Sequence, residues 1–371
     1  MTSKQLKNVS VQVAVVTALL ILTCVLDAHA QTFKKEEFTY NQKITVDVEA
    51  LTQVTGEVSD FFSTAHKSNF YVQVNEGKVF KGIITLDDVQ DTINFLANAA
   101  KKTPKQLKSH WFYKHYFDFY RWYSDGTLCP AKIGKLPRGW KGSPENLRIT
   151  KYRICKIHGS RIKTKKYSFP LYPRPSDEVS KTRDYIRNNP EEFIRFAYKK
   201  NEISAGVLEH KGILKPIAWV TPQGYEELAM QGSAVIDFED GTEPQTFQVV
   251  VGNGKEGADK YWFVAPYEKK KPSKKYPIKV EPVAGVSFAG NIVDVGFGKV
   301  LVMVGKNPLT LEKEMKVGVL VDTGSAFQDN LCKLDLFTGY FEDHHLFDEH
   351  CKQYPHTAEV YILIKKRKKS L

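Results

Sequence analysis

The chain has 371 residues, 42% of them hydrophobic and 12% aromatic, a composition that fits globular domains with real cores rather than a disordered chain. Twenty-two Phe and eighteen Tyr lean towards β structure, with core packing as their commoner use and sugar stacking as the rarer one. The formal charge of +12 suits an anionic polymer. Nucleic acid is one such polymer, but no nucleic-acid motif appears, and the N-terminus argues for export.

That N-terminus reads as a signal peptide over residues 1–30. Lys4 and Lys7 form a positive n-region, Val11 to Leu26 is nearly all apolar, and Ala28-His29-Ala30 offers a small-x-small cleavage site before Gln31. The apolar run is about 16 residues, short of the usual membrane span of about 20. Cys24 raises lipidation as an alternative, although Thr23 before it fits a lipoprotein signal poorly. Removing residues 1–30 takes away two lysines and Asp27, leaving 12 − 2 + 1 = +11. Four cysteines remain: Cys129, Cys155, Cys332 and Cys351. In an exported protein they permit two disulfides, and the local pairings Cys332–Cys351 and Cys129–Cys155 are the expectation among three connectivities.

Residues 33–100 look mixed. KITVDVEAL and NFYVQV alternate like strands. Residues 84–102 read as a helix: Thr85 can cap it, Asp87 and Asp88 favour its first turn, and Lys101 and Lys102 its last. Leu86, Val89, Ile93 and Leu96 supply the apolar stripe. Residues 110–123 are densely aromatic and read as a packed helix, with a glycan platform as the alternative. Residues 124–147 read as a loop. Residues 176–200 read as one or two helices, with Pro190 restarting the second. From 212 to 264 the pattern reads as β, in ILKPIAWV, YEELAMQ, AVIDF and FQVVVG. Residues 268–277 form a basic linker. Beyond 278 the runs KVLVMVG, KVGVLVD, KLDLF and EVYILIKK read as strands. HHLFDEHC at 344–351 matches no common zinc spacing and reads as a surface loop. The chain then ends in the basic run Lys365 to Lys369, read as a solvated tail. No internal repeat is visible.

The most informative stretch is LVDTGSAFQDNLCKLDLFTG, 320–339. It sets Asp322 and Asp335 in two short apolar runs. A carboxylate in such a run is costly to bury unless it is hydrogen-bonded or neutral. One held neutral by burial can serve as a general acid. The letters DTGS suggest an aspartic protease, but Asp322 lies about 50 residues from the C-terminus and no second DTG or DSG exists.

Four separated elements, in one order, resemble the membrane-bound lytic murein transglycosylase A family. DTGSAFQDN followed by LDLFTG resembles the family's DTGGAIKG and its second aspartate. PIAWVTPQGYEELAMQGSAVIDFEDG at 216–241 resembles its aliphatic-Ala-Trp-Val, QGSG and DG elements. VVVGNG at 249–254 follows, with Asn253 at the NG position, where a turn is the plainer reading. TKYRICKIHGSRIKTKKYSFPLYPRP at 150–175 follows the order of TGYYEP, a Gly-Ser pair and PLY(R)xP. Departures stand at Lys151, Ile154 and the loop 323–331, and Asp294 matches an earlier family aspartate only loosely.

The resemblance implies a mainly β fold with some helices. It implies a double-psi β-barrel from residues 31–156 and 270–371, with 157–269 as a smaller inserted β domain and a glycan groove between the two. It implies a lytic transglycosylase of peptidoglycan in the periplasm, associated with the outer membrane or wall, expected as a monomer with no cofactor, metal or nucleic acid. Asp335 matches the family's catalytic acid/base, with Asp322 supporting or positioning. Gln231 and Ser233 match the glycan-facing element, and Thr150 and Tyr152 keep two positions of the altered TGYYEP element, where they are expected to line the groove and bind substrate. The competing expectation is a non-catalytic peptidoglycan-binding protein with a degenerate site.

Overall fold

A computed structural model of the chain describes residues 33–41, 43–64, 76–124, 145–267, 280–327 and 330–367. The signal peptide, Cys24, Cys129, NFYVQV, most of the 124–147 loop, the basic linker and the last residues of the basic tail lie outside the described residues. The fold is mainly β with some helices. Its strands are β1 (Phe33–Glu36), β2 (Lys43–Thr45), β3 (Phe117–Trp122), β4 (Leu147–Ser160), β5 (Phe169–Leu171), β6 (Ala218–Val220) and β7 (Ser233–Phe238). They continue with β8 (Gln245–Gly252), β9 (Trp262–Pro266), β10 (Ser287–Ala289), β11 (Val300–Lys306), β12 (Lys313–Asp322), β13 (Lys333–Phe341) and β14 (Thr357–Lys365). The longer helices are α1 (Val48–Thr64), α2 (Leu86–Lys102), α3 (His110–Tyr116), α4 (Pro222–Gln231) and α5 (His344–Cys351). No helix among the described residues is long and apolar enough to cross a membrane.

Two compact units divide the chain. The first comprises 1–152, 270–338 and 351–371, and the second 153–269 with 339–350. In the first, the strand order is β1-β3-β14-β11-β12-β10-β13. All of these neighbours run antiparallel except β10 and β12, which are parallel, and β2 adds to β12 in parallel. The core below is built from the apolar runs of β11 and β12 and from the buried faces of α1 and α2. Leu51, Val54, Val58, Phe61 and Phe62 give α1 its buried face at helical spacing. Thr85 and Asp88 close a reciprocal capping box on α2, as the residue types predict.

Gly318 marks the tightest approach in this sheet. A methyl at that position would overlap the Val286 carbonyl oxygen, where β10 meets β12. Gly318→Ala must therefore push the two strands apart. It is expected to cost about 2–3 kcal/mol and to lower the midpoint of thermal unfolding measurably.

In the second unit, β5-β6-β4-β7-β8-β9 form a sheet in which β4 and β7 run parallel and the other neighbouring strands antiparallel. Its core centres on stacked Phe169, Tyr225 and Tyr261. Buried Glu178 is held by Arg174 and Arg195, and Arg153 pairs with Glu227 at 2.7 Å. Asn253 follows β8 directly, and its side-chain oxygen accepts from the Lys255 N–H. Its amide donates to the Tyr198 and Asp259 carbonyls and its oxygen accepts from the Tyr261 N–H.

Several expectations need correction. YEELAMQ lies in helix α4, not in a strand. Thr221 caps the helix, Pro222 opens it, and Gly232 at φ 81° ends it, so its end signals outweigh the short apolar run. KITVDVEAL is strand only over Lys43–Thr45 and then enters α1. The aromatic run breaks at Phe117, where α3 gives way to β3. HHLFDEHC is helix α5, with Asp343 accepting from the His345 and Leu346 N–H groups at its start. Neither expected disulfide forms, because Cys155 and Cys351 are both thiols. Cys155 is buried on β4, and its Sγ donates to the Ser233 carbonyl. Cys332 is disulfide-bonded, and its partner lies outside the described residues.

Candidate active site

Asp322 and Asp335 come together across three adjacent strands of the first unit. Ala289, at the end of β10, is the register partner of Asp322 on β12 and of Asp335 on β13. Neighbours in register share a face of the sheet, so the two carboxyls stand on one side with a methyl between them. Two strand spacings put their Cα atoms roughly 10 Å apart. The register shifts between Phe288 and Ala289, the kind of irregularity that re-aims side chains beside sites.

The sequence explains each placement. On β13, Lys333 and Asp335 are half-buried while Leu334 and Leu336 are buried, so a period of two puts the charged pair on one face. On β12 the buried run Val317, Val319, Leu320 and Val321 drives the strand into the core, and Asp322 is its last residue. β4 supplies the third wall. Its Thr150 hydroxyl donates to Asp335 Oδ1, and its Tyr152 hydroxyl donates to Asp322 Oδ2 at 2.9 Å. The Thr338 hydroxyl donates to the Tyr152 carbonyl, and the Tyr152 ring packs on Phe337. Asp322 also accepts from the Thr323 N–H at 2.8 Å.

Lys151 points the other way. Its Nζ donates to the Pro355 carbonyl at 3.1 Å, and burial pulls its pKa down to about 8. The departure at this position therefore leaves the aspartate face intact. Asp294, the loose sequence match, is held by Asn291 in a helix cap and pairs with Lys78 at 3.5 Å.

Lys333 was not among the residues singled out from the sequence. Its Nζ lies 3.0 Å from Asp335 Oδ1. Its place two residues before Asp335 in a strand is the signal that could have found it. Asp335 sits above the ordinary carboxylate pKa, first because it is buried. Lys333 and Arg148 pull it back down, and the charge on Asp322 pushes it up. The contacts of Asp335 with Thr150 and Lys333 both fall on Oδ1. Among the described residues, Oδ2 takes no hydrogen bond.

Gln231 and Ser233 belong to the second unit. Gln231 ends α4, and Ser233 opens β7 opposite Gln248. Of the six residues expected at the site, the structure thus gathers Asp335, Asp322, Thr150 and Tyr152 in one unit.

Residues 148–255 match the MltA-specific insert domain. That match covers most of the second unit and the strand leading into it. Three solved structures share the fold of this chain over nearly its whole length. Escherichia coli MltA with bound chitohexaose is 14% identical and superimposes with a TM-score of 0.56, over 91% of this chain and 96% of that one. A membrane-bound lytic murein transglycosylase from Agrobacterium tumefaciens is 16% identical, with a TM-score of 0.55, over 90% and 98%. MltA from Neisseria gonorrhoeae is 15% identical, with a TM-score of 0.54, over 87% and 89%. At these identities the likeness to those structures is one of fold. No curated protein matches the sequence. The MltA insert match begins at β4 and so takes in Thr150 and Tyr152, the two residues that hold the aspartates.

Proposed function

We propose that this chain is an exported lytic transglycosylase that cleaves the β-1,4 bond between MurNAc and GlcNAc of peptidoglycan in the periplasm. The observation that carries the reading is Asp335: a mostly buried carboxyl with raised pKa, anchored through Oδ1 and taking no hydrogen bond at Oδ2 among the described residues. The match to the MltA-specific insert domain supports the substrate class, and the bound chitohexaose in the Escherichia coli protein of like fold supports a β-1,4-linked glycan.

The reaction runs in two halves on one carboxyl. Asp335 gives its proton to the oxygen leaving towards GlcNAc as the bond from MurNAc C1 to that oxygen breaks. The C6 hydroxyl oxygen of the same MurNAc then bonds to C1, and its proton passes to the Asp335 carboxylate. The acid is restored, no water is consumed, and the products are a free GlcNAc 4-hydroxyl and a 1,6-anhydroMurNAc end. The nucleophile is part of the substrate, so proximity replaces the second carboxyl of an ordinary glycosidase. Asp322, held by Tyr152 and the Thr323 N–H, supports the acid electrostatically. Gln231 and Ser233 are read as glycan contacts, since an amide offers both donor and acceptor to sugar hydroxyls and acetamides.

On this reading residues 31–156 and 270–371 form a double-psi β-barrel catalytic domain, 157–269 form the insert, and residues 1–30 direct export. The protein acts as a monomer at the cell wall or outer membrane, and no step calls for a cofactor. Lys151, turned away from Asp335 onto Pro355, weakens the alternative of a degenerate binding protein. The test is to incubate the chain from Gln31 onward with purified sacculi. Release of soluble muropeptides, with falling turbidity, is expected. Protein that pellets with sacculi and releases nothing would mean a binding protein instead.

A further inference from the structure

We propose that Lys333 is a positioning residue of this reaction, whose ammonium pins Asp335 through Oδ1 so that Oδ2 alone carries the transferable proton. The inference rests on the glycan-cleaving reading above and extends it to a residue that the family motif does not single out.

The geometry is specific. The Lys333 Nζ stands 3.0 Å from Asp335 Oδ1, and both side chains are mostly buried, at 16% and 17% exposure. Their spacing of two residues on β13 fixes the pair on one face without any loop between them. The stem of Lys333 is placed as well, with its ammonium 5.2 Å from the centre of the Phe327 ring. Thr150 donates to the same Oδ1 from β4. Two donors on one oxygen leave the other as the protonation site, and they stop the carboxyl from rotating about its terminal torsion.

The charge acts on both halves of the reaction, favouring the first and restraining the second. When Asp335 releases its proton, a carboxylate forms in a buried place, and the adjacent cation stabilises it. When the C6 hydroxyl returns a proton, the same contact limits how basic the carboxylate becomes. The charged groups acting on Asp335 are Lys333 from β13, Arg148 from β4 and Asp322 from β12. β10 brings only Ala289. Of these charged groups, Lys333 is the one within ion-pair distance of the carboxyl.

The test is the pH dependence of muropeptide release by Lys333→Met and Lys333→Arg, beside the unaltered chain. Loss of the cation favours the protonated acid. The alkaline limb of the Lys333→Met profile is therefore expected to move up by about one pH unit, with the maximal rate about tenfold lower. Lys333→Arg should restore the limb to its original place. A Lys333→Met enzyme that is slower with an unmoved limb would overturn the proposal, since a merely structural role would do that. A full-rate Lys333→Met enzyme would overturn it too. If the unaltered chain itself releases nothing, the glycan-cleaving reading fails, an outcome distinct from an active enzyme indifferent to Lys333.

Discussion

Asp335→Asn should lower muropeptide release from sacculi by about a thousandfold while leaving the melting temperature within a few degrees. The amide has nearly the shape of the carboxyl. It can still accept from Thr150 Oγ1, so the local hydrogen bond survives. What it cannot do is give up a proton to a leaving oxygen or take one from a C6 hydroxyl. Asp322→Asn should be milder, about tenfold, because that residue acts on Asp335 only through its charge. The pH profile follows from the same burial. On the proposed reading Asp335 acts as an acid when protonated, and its pKa is raised. Activity should therefore persist above the ordinary carboxylate range and fall as pH climbs through the raised value. Comparing profiles of the unaltered chain and Asp322→Asn checks the sign: loss of a neighbouring anion should move the alkaline limb down.

Lys299→Met should stabilise the protein by roughly 2–4 kcal/mol at neutral pH, an unusual direction for a core substitution. Lys299 is fully buried, and its Nζ has no hydrogen-bond partner among the described residues. The Phe80 ring, 5.1 Å away, is its nearest compensation. Burial pulls its pKa from 10.5 down to about 7, against weaker opposite pulls from Asp88 and Glu76. Between those two pH values the unfolded chain binds more protons than the folded one, so stability rises with pH across that window. Below about pH 7 the lysine becomes charged in both states and its burial costs most. Denaturant unfolding at about pH 6 and about pH 9 measures this directly. The gain from methionine should be large at the lower pH and shrink at the higher. Equal stability of the two proteins at low pH would show that the ammonium is solvated after all.

Much of the fold is legible where one signal dominates. The runs from Val300 onward alternate or stay apolar, and they became β11 to β14. The caps of α2 could be read letter by letter because a capping box is local chemistry. α1 was hidden because the strand-like alternation of KITVDV runs straight into it, and its apolar positions emerge only over the following turns. α4 was hidden because its buried face is only Gly224, Tyr225 and Leu228, too few to outweigh the β pattern on both sides. The cysteines misled because disulfide pairing follows three-dimensional proximity, not separation along the chain.

The site divides in the same way. Asp322 and Asp335 stood out because carboxyls are conspicuous in apolar runs. Thr150 and Tyr152 could be carried over by motif position, and they proved to hold the two aspartates. That Lys151 faces away follows from the period of β4, once β4 is known to be a strand there. Ala289 carried no signal at all. Its part is to sit between two aspartates that are thirteen residues apart in sequence, a fact of sheet order alone.

The most direct test of a single carboxyl working without water is the mass of the muropeptides released from sacculi by the chain from Gln31 onward. Ends in 1,6-anhydroMurNAc, lighter by one water than hydrolysed ends, are expected from the unaltered protein and should be lost in Asp335→Asn. Reducing ends from the unaltered protein would contradict the single-carboxyl reading and would require a second carboxyl to activate water.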